Sequence, residues 1–78
     1  MNEKWQQHLN EGLTKVGSEA YAEAIAELSQ ALVEAPDEQV AQCYATRGYA
    51  YLCQGEFAKA TVDHRMQHAR AVAGRVGM

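Results

Sequence analysis

Proline and cysteine are scarce in this sequence, and it has no long hydrophobic run. Its 78 residues include one proline and two cysteines. Two cysteines make no disulfide framework, so we expect the reducing environment of the cytoplasm. No stretch approaches the ~20 consecutive apolar residues of a membrane span, and we see no signal-peptide pattern. The composition therefore argues against a secreted or membrane-anchored protein.

Strand-like alternation is also missing, whereas helical periodicity occurs repeatedly. Apolar residues recur at steps of three and four over about 2–16, 19–34, 38–54 and 56–76. Pro36 and Gly55 interrupt the periodicity, and Ser18 and Asp37 are residue types that cap helices. The sequence therefore predicts an all-α fold of four helices, with one domain spanning residues 1–78.

The chain matches itself when it is shifted by 36 residues. The matching pairs are Gly12 with Gly48, Tyr21 with Phe57, Ala24 with Ala60, and Leu28 with His64. A fixed period of 20–50 residues is typical of stacked helical hairpins. We therefore expect two repeats, at about 3–36 and about 37–76.

Small residues mark where the two helices of the second hairpin should meet. We expect Gly48 and Ala60 to lie at the closest approach of these helices. Gly55 provides the backbone freedom that the chain reversal needs. Tyr51 and Phe57 would fill the space on either side of the contact.

These positions resemble the tetratricopeptide repeat (TPR) family, whose pattern is aromatic-x₂-Leu-Gly-x₂-Tyr followed by Ala-x₃-Phe and Pro. Arg47 stands in place of the pattern's leucine, and the first repeat departs more widely, which leaves the register of its first helix open. The 36-residue period is similar to that of the longer-period repeats in G-protein signalling modulators and bacterial scaffolds. The resemblance implies a short α-solenoid of two stacked antiparallel hairpins. The positions that carry it are Gly12, Tyr21, Ala24, Pro36, Tyr44, Gly48, Tyr51, Gly55, Phe57 and Ala60.

The resemblance also implies a concave groove that holds a partner peptide and is lined by the first helix of each hairpin. The positions carried over are Leu9, Leu13, Val16, Gln42, Ala45, Thr46, Tyr49, Leu52 and Cys53. Leu9 and Leu13 stand where family members that clamp a terminal carboxylate have Lys and Asn, so we expect an apolar groove that receives a helix or a hydrophobic peptide strip. The alternative is that Leu9 and Leu13 belong to the core.

The fourth segment carries two apolar lines. The inward line comprises Phe57, Ala60, His64, Ala71 and Val72, and the outer line comprises Ala58, Val62, Met66, Ala69, Ala73 and Val76. The last helix of a solenoid needs a polar outer face, so either a longer array or a second copy covers the outer line. We predict self-association through it.

Charge is distributed unevenly along the chain. Residues 1–38 have eight acids and two lysines, a net charge of −6, whereas residues 39–78 have two acids and five basic residues, a net charge of +3. Scattered charge on solvated helix faces is one interpretation of this asymmetry. The other is charge-complementary stacking of copies or of a partner.

No set of residues suggests catalysis, a metal or a cofactor. His64 and His68 have a chelating spacing, but Arg65 stands where a zinc protease would have its general base, and no third ligand is evident. Cys43 and Cys53 lie ten residues apart on one helix, too far apart to bridge, and we expect packed thiols. The basic residues are too few and too dispersed to favour nucleic-acid binding.

The sequence thus predicts a non-enzymatic protein-interaction module that binds a protein or peptide partner and forms a homo-oligomer. Two alternatives stay open. One is a purely structural unit that assembles with itself. The other is a metal- or nucleic-acid-binding regulator that uses the fourth helix, which carries His and Arg residues.

Overall fold

The computed structural model describes residues 4–76, and within that range the chain forms four α-helices and no strand. The helices are α1 (Lys4–Gly17), α2 (Tyr21–Glu34), α3 (Asp37–Cys53) and α4 (Phe57–Val76). No helix in the described range is long and apolar enough to cross a membrane. The predicted all-α fold is confirmed.

The helices form two antiparallel hairpins that stack side by side. Helices α1 and α2 pack together, as do α3 and α4, and the hairpins meet mainly through α2 and α3. The molecule measures 38 × 33 × 16 Å along its principal axes. Its smallest dimension corresponds to two helix layers, since packed helix axes lie about 8–10 Å apart. Because consecutive helices are antiparallel, α2 and α4 run in the same direction.

The hydrophobic core lies between the first hairpin and α3. Its buried members are Leu9, Ala24, Leu28, Ala31, Cys43 and Ala50. Partly buried residues around them are Trp5, Val16, Tyr21, Ile25, Leu32 and Ala35. Leu9 is only 5 % exposed, so it is a core residue and not part of an open groove.

Two glycines allow the helices of each hairpin to approach closely. A Cβ added at Gly12 would lie 2.6 Å from Cγ of Leu28. A Cβ added at Gly48 would lie 3.2 Å from Cβ of Asp63 and 3.6 Å from the carbonyl oxygen of Ala60. The predicted contact of Gly48 beside Ala60 is confirmed.

Both hairpin turns use the same backbone geometry. The amide of Glu56 donates to the carbonyl of Tyr51, and the amide of Ala20 donates to the carbonyl of Lys15. A hydrogen bond from an amide to the carbonyl five residues earlier is typical of the Schellman motif at a helix C-terminus. In this motif one residue has the left-handed backbone conformation. That residue is Gly55 in the second turn, as predicted, with φ 81°, and Glu19 in the first, with φ 65°.

The predicted capping residues are wrong at both helix starts. The Ser18 hydroxyl donates back to the Thr14 carbonyl at 3.2 Å, so it bonds to the end of α1 and does not cap α2. Asp37 is the first helical residue of α3, Pro36 occupies the N-cap, and no side chain caps either α2 or α3.

Candidate partner-binding cleft

An open, mainly apolar cleft of about 390 Å³ lies between α3 and α4. Helix α3 contributes one wall, α4 the other, and Gly48 and Ala60 lie where the walls approach each other. The lining residues are Tyr44, Ala45, Gly48, Tyr49, Leu52, Phe57, Ala60, Thr61, His64 and Gln67.

The repeat explains why this cleft is open. Ala60, His64 and Gln67 are 36 residues after Ala24, Leu28 and Ala31. Those three residues of the first hairpin are fully buried in the core that α3 helps to form. In the described structure no helix covers the second hairpin in the same way. The cleft is thus the repeat equivalent of a surface that is covered in the first hairpin.

Large apolar side chains surround the cleft without being buried. Phe57 is 64 % exposed, Tyr49 55 % and Leu52 50 %. In the first hairpin, Tyr21 is the repeat equivalent of Phe57 and Val16 that of Leu52. Both Tyr21 and Val16 pack against the core. The prediction that Phe57 fills the seam between α3 and α4 is therefore wrong. Covering such a side chain completely contributes about 1.5–3 kcal/mol.

The structure places the groove residues predicted from sequence in different environments. Ala45, Tyr49 and Leu52 line the cleft. Leu9 is in the core, and Val16 packs against it. Leu13 is 44 % exposed on α1. Gln42 and Cys53 are exposed, and Thr46 is half-buried.

Sequence reasoning missed the wall that α4 contributes. The 36-residue offset had placed Phe57 and Ala60 in the repeat, but as residues of a closed hairpin. Thr61 and Gln67 were not predicted as site residues, although they are the repeat equivalents of Ile25 and Ala31, which are in or beside the core. Comparing the burial of equivalent positions reveals this wall.

A buried ion pair lies behind the cleft. Nε and Nη2 of Arg47 donate to the two carboxylate oxygens of Asp63, each at 2.7 Å. Nη1 of Arg47 donates to the Ser29 hydroxyl at 3.1 Å, so one guanidinium joins α2, α3 and α4. The Asp63 side chain is 2 % exposed and that of Arg47 20 %. The sequence showed Arg47 only as a departure from the leucine of the repeat pattern, and its partner was missed.

The surroundings of Arg47 favour its charged form. Hydrogen bonding to Asp63 raises the pKa of Arg47 although burial opposes the shift. The rings of Tyr44 and Tyr51 also lie near the guanidinium, with centroids 5.5 and 5.7 Å from its central carbon. The positive charge is thus fixed in place behind the apolar cleft.

The first hairpin has a hydrogen-bonded pair at the corresponding place on its second helix. Nδ1 of His8 lies 2.7 Å from Oε1 of Glu27, and Glu27 is the repeat equivalent of Asp63. Both side chains are about one-third exposed, at 32 % and 34 %. In both hairpins, therefore, an acid on the second helix pairs with a base on the first.

Several titratable side chains lie on the cleft or elsewhere on α2 and α3. The neighbouring Cys53 thiol raises the pKa of the Tyr21 and Tyr49 hydroxyls. Cys53 is exposed, contrary to the prediction of a packed thiol, whereas Cys43 is buried as predicted. Burial raises the pKa of the Cys43 thiol.

His64 is exposed on the cleft and not directed inward as predicted. Among the described residues no group of three or more His, Cys, Asp or Glu side chains could hold a metal ion.

The outer line of α4 is accessible where the structure describes it. Val62 is 55 % exposed, Ala58 and Ala69 are exposed, and Met66 is half-buried. The side chains of Ala73 and Val76, which were also predicted to take part in self-association, lie outside the described residues.

Comparisons with protein-family models, with curated proteins and with solved structures found no match to this chain.

Proposed function

We propose that this protein is a non-enzymatic interaction module that binds an amphipathic helix of a partner protein in the cleft between α3 and α4. The observation that carries the proposal is the repeat equivalence of the cleft with the core surface of the first hairpin. The sequence resemblance to TPR proteins supports it. The free thiols of Cys43 and Cys53 suit a cytoplasmic protein.

Helix α3 provides a template for the partner, because it covers the equivalent surface of the first hairpin. The buried face of α3 includes Val40, Cys43 and Ala50, which are 8 %, 0 % and 0 % exposed. These residues are small and apolar, and they follow one another at steps of three and seven residues. We therefore expect a partner helix of three to four turns that presents small apolar residues at such steps.

The α1 helix of another copy does not meet this description. The positions of α1 that correspond to Val40, Cys43 and Ala50 are Lys4, Gln7 and Thr14, 36 residues earlier. All three are exposed and polar. Placing them in an apolar cleft would remove polar groups from water without compensation. End-to-end stacking of copies through the cleft is therefore disfavoured, and the partner is a different helix.

The test compares the wild type with a double variant of the cleft, Tyr49→Ala with Leu52→Ala, in affinity capture followed by a binding titration with the captured protein. Both side chains are about half exposed, so helicity should persist while the dissociation constant rises by roughly tenfold or more. The matched control is Val33→Ala, because Val33 is 78 % exposed on α2, away from the cleft.

Binding should be unchanged in that control. Undiminished capture by the double variant would contradict the cleft assignment. A loss of helical circular dichroism in the double variant would show that these residues support the fold.

A further inference from the structure

The outer faces of α2 and α4 expose apolar side chains that the fold leaves uncovered. On α2 these side chains are Ala22, Ala26 and Val33, and on α4 they are Ala58, Val62 and Ala69. Each residue of α4 in this set is 36 residues after its counterpart on α2. Val33 is 78 % exposed and Val62 55 %, so both faces include large aliphatic groups in water. None of these residues lines the cleft.

The charges beside the two faces are of opposite sign. Glu23 and Glu34 are exposed on α2, and their repeat equivalents on α4 are Lys59 and Arg70, which are also exposed. Arg65, also exposed, adds a further positive charge on α4. Lys15 lies 3.3 Å from Glu23 and offsets part of the negative charge. Apart from this pair, α2 presents an acidic apolar face and α4 a basic one.

We propose that two copies of this chain associate through these faces, with α2 of each copy packed on α4 of the other. Repeat-equivalent positions of stacked hairpins point to the same side of the molecule, so both faces are available to one partner copy. A two-fold axis parallel to α2 and α4 places each acidic face opposite a basic one. A two-fold axis across the helices would instead place α2 on α2 and α4 on α4, with like charges opposed.

The arrangement in which each copy contributes both α2 and α4 is also favoured because it forms a closed dimer. A single contact between α4 of one copy and α2 of the next would leave an uncovered face at each end, and such an assembly would keep growing. The reciprocal dimer covers both faces of both copies. The proposal goes beyond the proposed function, because the dimer surface and the cleft use different residues and the cleft stays open to its partner.

The first measurement is sedimentation equilibrium of the wild type over a range of protein and salt concentrations. We expect a mass of two chains at low ionic strength and a higher dissociation constant in salt. Screening weakens attraction between exposed charges, because the Debye length falls from about 10 Å at 0.1 M to about 3 Å at 1 M. A mass of one chain at every concentration at low ionic strength would overturn the proposal.

Charge-swap variants test the pairing itself. The first variant, Glu23→Lys with Glu34→Lys, makes both faces basic. The second, Lys59→Glu with Arg70→Glu, makes both faces acidic. Each alone should raise the dimer dissociation constant by roughly tenfold or more, because like charges then oppose each other. An equimolar mixture should restore dimers, since in the mixed pair every basic face meets an acidic one.

Two controls make the result specific. Glu11→Lys with Glu38→Lys changes the net charge as much as the first variant, but at exposed positions on α1 and α3, and should leave the dimer intact. Tyr49→Ala with Leu52→Ala should also dimerise like the wild type. A mixture that stays monomeric although both components are folded would overturn the reciprocal pairing. Dissociation caused by the cleft variant would place the interface in the cleft and overturn the assigned surface.

Discussion

At the scale of single residues, the two hairpin turns offer a direct comparison. Glu19 and Gly55 are repeat equivalents, both have left-handed backbone conformations, and both lie in a turn closed by the same six-residue hydrogen bond. Glycine adopts this conformation without steric cost, whereas a residue with a Cβ loses about 1–2 kcal/mol. The first turn therefore holds a strained residue where the second holds a relaxed one.

We predict that Glu19→Gly stabilises the protein by about 0.5 kcal/mol, because relief of the left-handed strain exceeds the entropy that glycine adds to the unfolded chain. Gly55→Ala should destabilise it by about 1 kcal/mol, although no atom lies within 4 Å of an added Cβ. Urea denaturation followed by circular dichroism measures both effects. Glu19→Ala is the control, because it removes the carboxylate but keeps the Cβ. Equal stability of the Gly and Ala variants would contradict the strain argument.

At the scale of helices, the contact between α1 and α2 depends on Gly12. A methyl group there would lie 2.6 Å from Cγ of Leu28, whose side chain is fully buried. Gly17 is in the same helix, and an added methyl there meets nothing within 4 Å. The same substitution therefore has opposite consequences at two positions of one helix.

We predict that Gly12→Ala destabilises the protein by about 1–3 kcal/mol, since overpacking outweighs the better helix propensity of alanine. Gly17→Ala should be neutral or stabilise by up to about 1 kcal/mol. Thermal and urea unfolding of the two variants against the wild type give the comparison. If Gly12→Ala were as stable as Gly17→Ala, helices α1 and α2 could move apart to accommodate the methyl group without loss of stability, and the prediction would be wrong.

Periodicity and the internal repeat were sufficient to predict the four helices, the hairpin contact at Gly48 and the turn at Gly55. They were not sufficient for burial on α4. The sequence pattern placed His64 on the inward side of α4, but in the structure its neighbour Asp63 is buried and His64 is exposed, and these two positions differ by about 100° around the helix. Asp63 is buried because Arg47 is within reach on α3, a pairing that the sequence spacing does not reveal.

The cleft shows a second limit of sequence patterns. A pattern indicates which side of a helix is apolar but not which element covers that side. Phe57 and Cys53 have residue types that usually pack inside proteins, and the sequence predicted that they would. In the structure both are exposed. An open surface of this kind is found only when the burial of equivalent residues in the two hairpins is compared.

At the scale of the whole molecule, Arg47 links three of the four helices. Helix α4 contributes no residue to the fully buried apolar cluster, and Asp63 is the buried residue among its described side chains. Its carboxylate is held by Arg47, which also bonds to Ser29 on α2. Among the described side chains of α4, the buried contact with the rest of the molecule is thus a polar one.

We predict that Arg47→Leu, although it restores the leucine of the repeat pattern, destabilises the protein by about 3 kcal/mol because a buried carboxylate loses its partner. The double variant Arg47→Leu with Asp63→Leu should recover much of that loss, since an apolar pair of similar volume replaces the ion pair. Urea denaturation of the wild type, the two single variants and the double variant gives the coupling free energy. If the destabilisation of the double variant equalled the sum of the two single-variant effects, Arg47 and Asp63 would not be coupled and the prediction would be wrong.

Hydrogen exchange locates the effect within the molecule. In Arg47→Leu, the amides of α4 should exchange faster than those of α1 and α2, because the first hairpin retains its core while α4 loses its anchor. The double variant should return α4 towards wild-type protection. Uniform acceleration in all four helices would instead show that the chain opens as one cooperative unit. The ion pair would then stabilise the whole fold and not the docking of α4.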